Sequence, residues 1–257
     1  MNKKVIPNLS RKKLSNIPLS DRCKSIILGS ILGDSMLKIY SGYKNARLSM
    51  RHSIIQQDYF IWKAEQMAEI SSPGSSLITN PSGFSKNNKL LFQSRALESL
   101  TEIHDITYKK NVINIKRSWL NHLTPLSLMV WWLDDGSIVG GGTKGMFCTH
   151  GFSKESNEML IDYLKAVWDI DARMGTTTGK TGPLYYIGLS TPSLIKLLML
   201  IMPHIPVKSM IYKAHIRYKD ELLQQRWIST MKENMKHIIV ENDIVRYGIK
   251  KEKEIKF

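Results

Sequence analysis

Two apolar stretches of this chain each run into a carboxylate. Ile27-Leu28-Gly29-Ser30-Ile31-Leu32-Gly33 leads to Asp34, and Leu128-Met129-Val130-Trp131-Trp132-Leu133 leads to Asp134, Asp135 and Gly136. About a hundred residues separate them, and the sequence after each follows a similar order. A repeated unit that ends an apolar helix on an acid can bring two acids together at a pseudo-twofold axis. Divalent cations held between converging carboxylates provide a nucleophilic water, charge neutralisation at phosphorus and a stabilised leaving oxygen. Magnesium is the natural ion, because it binds through one or two carboxylates plus phosphate oxygens.

The composition agrees with a phosphate-bearing partner. The 257 residues include 37 Lys and Arg against 22 Asp and Glu, a net charge of +15, which favours a polyanion. A chain 42% apolar is long enough for one sizeable core or two packed halves. No apolar run reaches membrane-spanning length; the most apolar stretch, 194–205, is broken by Lys196 and Pro203. The basic start has no hydrophobic segment of the secretory kind. Cys23 and Cys148 form no CxxC pair, which argues against zinc or a disulfide framework. The seven histidines show no metal-ligand spacing. Abundant Lys, Ile and Asn fit an AT-rich organelle genome.

The elements that must position the acids form a repeat. After a basic arm (1–20), Ser20 and Asp21 can cap a helix from about Arg22 to Ser35. Residues 45–52 alternate, with Arg47, Ser49 and Arg51 on one face and Leu48, Met50 and His52 on the other, as in a half-buried strand. A helix over 57–69, short strands and loops over 71–89, a strand over 90–93 and a helix over 94–104 follow. In the second half, Thr124-Pro125 opens a helix to Asp135. A glycine-rich turn then leads to a strand over 146–150, a Ser153-capped helix to Trp168, strands over 171–178 and 184–189, and a helix from Thr191-Pro192 to about Met202. Residues 214–236 also read as helix. The unit is helix, two strands, helix, two strands, helix, used twice. Its expected boundaries are 21–118 and 119–236, with a basic tail over 237–257.

With these residues in view, the sequence resembles the single-chain, two-motif LAGLIDADG homing endonucleases encoded in introns, over about residues 20–225. Ile27 to Ser35 matches the first motif, with Gly29 and Gly33 at the close-packing positions, Asp34 at the catalytic one and Ser35 replacing the closing glycine. Leu128 to Gly136 matches the second, with Asp135 at the catalytic position and Val130 where the family often has a small residue. Arg47 to Trp62 resembles the family's strand-to-helix junction, and Leu123 to Ser127 its lead-in to the second motif. Tyr108-Lys109-Lys110 and Ser209 to Lys213 resemble the places of a lysine near the reacting phosphate. Lys110 lies 76 positions after Asp34, and Lys213 lies 78 after Asp135. That nearly equal interval favours Asp135 over Asp134, which is expected to be a supporting or solvated neighbour.

The resemblance implies an α+β chain of two pseudo-symmetric αββαββα halves, whose antiparallel saddle-shaped sheets form one DNA-binding groove. It implies metal-dependent double-strand cleavage of a long asymmetric DNA target by a monomer, promoting intron mobility. Asp34 and Asp135 would hold two or more Mg2+ ions, with Mn2+ able to substitute, and Lys110 and Lys213 would assist catalysis. Lys38, Tyr40, Lys44, Arg47, Ser49 and Arg51 in the first half, and Lys144, His150, Arg173, Thr177 and Lys180 in the second, are the expected DNA-binding residues. Trp131 and Trp132 are expected in the core. The organelle encoding the intron, foremost the mitochondrion, is the expected location. The alternative on the same fold is an intron maturase, an RNA-binding splicing cofactor; intact Asp34, Asp135, Lys110 and Lys213 favour the nuclease.

Overall fold

The computed structural model describes residues 14–79, 88–180, 182–240 and 243–244. Most of the expected N-terminal arm, position 181 of the turn near Lys180 and most of the expected C-terminal tail lie outside the described residues. Helix α1 (Asp21–Leu32) begins where the Ser20 side chain accepts a hydrogen bond from the Cys23 amide, satisfying one open helix donor. It ends three residues earlier than the sequence pattern suggests. Gly33 leaves the helical conformation (φ −116°, ψ −121°), and Ser35 already pairs with Met50 in a sheet.

That sheet contains β1 (Ser35–Lys38), β2 (Arg47–Ser53), β3 (Ser76–Thr79) and β4 (Lys89–Gln93), in the order β1-β2-β4-β3. Helix α2 (Gln57–Gln66) lies between β2 and β3, and α3 (Glu98–Thr107) follows β4. A small hairpin of β5 (Tyr108–Lys109) and β6 (Val112–Ile113) and a short α4 (Arg117–Leu120) lead to α5 (Pro125–Asp135). Thr124 caps α5 in a capping box with Ser127, and Pro125 occupies the first turn, where its missing amide costs nothing.

The second sheet has β7 (Gly136–Val139), β8 (Lys144–Phe147), β9 (Ala172–Gly179) and β10 (Gly182–Leu189), in the order β7-β8-β10-β9. Helix α6 (Lys154–Trp168), capped by Ser153, precedes β9, and α7 (Thr191–Ile201) follows β10. All strand pairs are antiparallel. The strand expected at 146–150 ends at Phe147, because the chain turns there and the Cys148 amide bonds the Asp135 carbonyl. Helix α8 (Glu221–Asn234) starts later than 214 because Asp220 is its cap and Lys208–Lys213 forms a separate 3-10 turn.

Alternation along the central strands β2 and β4 buries one face and opens the other, as a two-residue period requires. On β2, Leu48, Met50 and His52 are buried while Arg51 is exposed. Helices α1 and α5 pack side by side at the middle of one continuous core that includes Trp131 and Trp132. A Cβ on Gly29 would lie 2.4 Å from the Ser127 carbonyl oxygen and 2.9 Å from Val130 Cβ. On Gly33 it would lie 2.5 Å from Asp134 Cβ. The close approach is therefore made by Gly29 on α1 and Gly33 at its end, which is why Val130 is accommodated on α5. These contacts ascend together along both helices, so the two C-terminal ends arrive at one place. No helix among the described residues is long and apolar enough to cross a membrane.

Candidate active site

A cavity of about 260 Å³ opens where α1 and α5 end. Its walls include Asp34, Asp134 and Asp135, with Gln56 and Ser53 from the first half and Ser137, Cys148 and Lys213 from the second. The structure thus brings together Asp34, Asp135 and Lys213. Lys213 is buried (7% exposed), donates from Nζ to the Gly136 carbonyl at 2.5 Å, and accepts the Trp132 indole N–H at its own carbonyl. Lys110 is not brought there. It stands exposed in the turn of the β5–β6 hairpin with φ +52°. Its interval from Asp34 matches that of Lys213 from Asp135, but one lysine ends a turn packed beneath α5 and the other sits on a solvated hairpin.

Asp134 is neither solvated nor peripheral. Its buried carboxylate accepts from Lys63 Nζ (2.7 and 3.0 Å), from the Tyr59 hydroxyl (3.0 Å) and from the Asp34 amide (3.3 Å). An acid from the second half is thereby tied to α2 of the first. His52 completes the cluster: Nδ1 lies 3.1 Å from Gln56 Oε1, and Nε2 lies 3.5 Å from Lys63 Nζ. An imidazole that donates to the amide oxygen and accepts from the ammonium is neutral. Burial, followed by Lys63, accordingly lowers the His52 pKa to about 4. Asp34, His52 and Asp134 place ligand atoms within 4.8 Å of one another, which spacing along the chain could not reveal because three elements contribute. Lys63 already supplies the positive charge beside Asp134. Lys63 and Tyr59 went unassigned in the sequence; a lysine on the apolar face of α2, four residues from Tyr59, was the available signal.

The two remaining acids lack such compensation. Burial, with a further contribution from Asp134, raises the Asp34 pKa to about 6, against the opposing pull of Lys63 and Lys213. Its side chain is 37% open at the cavity mouth, so this carboxylate faces solvent on one side only. Burial, then Asp34, then Asp134 raise Asp135 to about 7. Two hard-oxygen ligands that repel each other in a shared cavity fit a divalent cation, which provides the charge the lysines do not.

The expected DNA-binding residues lie on or beside the open sheet faces. In the first sheet Lys38 pairs with Arg47, Met36 with Ser49, and Arg51 with Leu91, all facing away from the core. Tyr40 and Lys44 lie in the β1–β2 connection, with the Lys38 ammonium 5.1 Å from the Tyr40 ring. Lys89, Gln93 and Tyr43, over whose ring Arg47 stacks at 4.6 Å, join this surface and were missed. In the second sheet Lys144, Arg173 and Thr177 occupy the open face, and Lys180 is exposed at the β9–β10 turn. His150 falls just past β8, edge-on to Tyr186 at 6.2 Å. Tyr186 itself is a further candidate, lying over Gly175, where any side chain would collide with its ring.

Two αββαββα units, an acid from each at the shared helix ends, and basic open sheet faces define a two-motif nuclease architecture. The family model of the LAGLIDADG DNA endonuclease family matches residues 24–197, and the chain belongs to that family. Its fold matches that of the homing endonuclease I-WcaI bound to its DNA recognition sequence, with a TM-score of 0.67 and 21% identity, covering 84% of this chain and 96% of that one. Among curated proteins, it is 29% identical to the cytochrome b mRNA maturase bI2 of Saccharomyces cerevisiae over 80% of this chain and 51% of that protein. It is also 29% identical to the protein RecA of Mycobacterium gastri over 78% of this chain and 48% of that one. The chain spans about half the length of these two relatives.

Proposed function

We propose that this chain is a site-specific DNA endonuclease that makes a metal-dependent double-strand break in a long asymmetric target and so promotes mobility of the intron encoding it. The carrying observation is the meeting of Asp34 and Asp135, one from each half, in a single cavity whose burial leaves both short of positive charge. Asp34 and Asp135 would hold divalent ions, Mg2+ or Mn2+, which when bound supply water activation and charge neutralisation at the scissile phosphates. Lys213, locked against Gly136, is positioned to stabilise negative charge developing in the cavity. Gln56, Ser53 and Ser137 are positioned to orient water. Lys110 we place at the phosphate backbone rather than at the reacting centre. The two open sheet faces would lie along the DNA. Because the halves differ in sequence, the target is not palindromic.

One chain supplies both acids, which supports action as a monomer on double-stranded DNA. We place the boundary between the halves near residue 118. The composition supports an organelle location, the mitochondrion first. The likeness to the bI2 maturases of Saccharomyces cerevisiae and Debaryomyces hansenii, the latter 27% identical over 77% of this chain and 75% of that protein, favours one second reading, an intron maturase. Incubation with a plasmid library of random inserts in Mg2+ tests the nuclease. Recovery of linear products cut at one recurring sequence is expected. A chain that cuts no duplex and prefers folded intron RNA would establish the maturase instead.

A further inference from the structure

The open face of the first sheet is not uniformly polar. Across three strands Arg51 pairs with Leu91, and Leu91 with Leu77, forming one ladder on that face. Leu77 is 54% exposed and Leu91 half-buried, and Met36, 44% exposed, faces the same way in the neighbouring ladder with Ser49 and Gln93. Apolar side chains are therefore interleaved with Lys38, Arg47, Arg51 and Lys89 on a surface whose charge suits a polyanion. In the major groove, the one apolar feature on a base edge is the C5-methyl of thymine. An arginine beside leucines can pair with guanine while its neighbours cover methyl groups.

The open face of the second sheet carries apolar side chains at other places, half-buried Val139, Met146 and Leu184, and lacks the exposed leucine ladder. Ser35 pairs with Met50 as Gly136 pairs with Phe147, which fixes the correspondence of the two sheets. By that register Leu91 and Leu77 correspond to Tyr186 and Gly175, a ring over a glycine. The leucine pair is therefore a feature of the first half.

We infer that Leu77 and Leu91, with Met36 beside them, make recognition depend on thymine methyl groups in the half-site bound by the first half. This rests on the proposed DNA-cleaving reading and names which chemistry of the target that site selects. Covering one methyl group is worth about 0.8 kcal/mol, or about fourfold in affinity.

The test uses the full chain and duplexes selected from a random pool by binding. The selected duplex is resynthesised with deoxyuridine for thymidine in one half-site at a time, which removes the methyl and keeps every hydrogen bond. Affinity is expected to fall about fourfold for each contacted methyl in at least one half-site. Leu77→Ser should bind the thymidine and deoxyuridine duplexes more nearly alike than the unaltered chain does. The unaltered chain needs no substitution to be tested, so a folding defect in the variant leaves the main readout intact. Equal affinity for all the duplexes by a chain that still selects one sequence would overturn the inference and leave the DNA reading standing. A loss that a folded Leu77→Ser chain shows undiminished would also overturn it. A pool that yields no selected duplex would overturn the DNA reading and this inference with it.

Discussion

At the scale of single residues, three neighbouring acids have three different environments. Asp134 is paired with Lys63 and accepts a hydrogen bond from Tyr59, while burial and Asp134 hold Asp34 above the usual carboxylate range, and burial, Asp34 and Asp134 hold Asp135 there. Asp34→Asn and Asp135→Asn should each slow cleavage by about a thousandfold or more, the equivalent of losing several kcal/mol of transition-state stabilisation, with DNA affinity little changed. Single-turnover cleavage beside a binding titration checks both. Lys63→Met strands a buried carboxylate and should cost about 3–5 kcal/mol of stability in urea unfolding. Adding Asp134→Leu should recover much of that loss, because the pair is then replaced by apolar groups. The raised acids also give a pH signature. Without metal, the folded chain keeps protons that the unfolded chain releases, so these two groups stabilise fully below about pH 4. Their contribution is lost as pH rises through 6 and then 7. Mg2+ competes with those protons. Its stabilising effect on Tm should therefore be small at about pH 5.5 and grow to about pH 8, and Asp135→Asn should flatten the upper part of that rise.

At the scale of elements, the site depends on how closely α1 approaches α5. Gly29 meets backbone, the Ser127 carbonyl, which has little room to yield. Gly33 meets the Cβ of Asp134, itself fixed by Lys63 and Tyr59. Gly29→Ala should therefore destabilise by about 1–3 kcal/mol, the range for forcing atoms into a packed interface. It should also move Asp34 relative to Asp135 and lower the cleavage rate more than DNA affinity. Denaturant melts and single-turnover rates on the same variant separate the two effects. A variant as stable and as fast as the parent would show that the helices can part without cost.

At the scale of the whole molecule, the surplus of fifteen positive charges and the basic open faces set the behaviour toward DNA. Each neutralised phosphate releases counterions and lowers log K by roughly 0.9 per decade of salt. If about six basic side chains of the two sheets reach phosphates, the slope should be about −5, measured by titration across a salt series. Arg51→Ala should lose about 1–3 kcal/mol on a selected duplex if it pairs with a base, with much less change on random DNA. Equal loss on both would mark Arg51 as a phosphate contact.

The sequence alone determined the elements and the two acids. Apolar periodicity, caps at Ser20, Thr124 and Ser153, and strict alternation along β2 are local signals, and they survive folding because each acts within a few residues. The motif glycines and the repeat were enough to place Asp34 and Asp135 at converging helix ends. Only the tertiary structure decided what surrounds them. Asp134 reads along the chain as a neighbour of Asp135, yet its partners Tyr59 and Lys63 lie more than seventy residues away. Lys110 and Lys213 are equivalent by interval and different by position, because an interval counts residues and says nothing of the path between them. His52 showed its buried face in the strand pattern, but its place between Gln56, Lys63 and the acids needed three elements packed together. Helix and strand depend on neighbours in sequence; the charge balance of a buried site depends on neighbours in space.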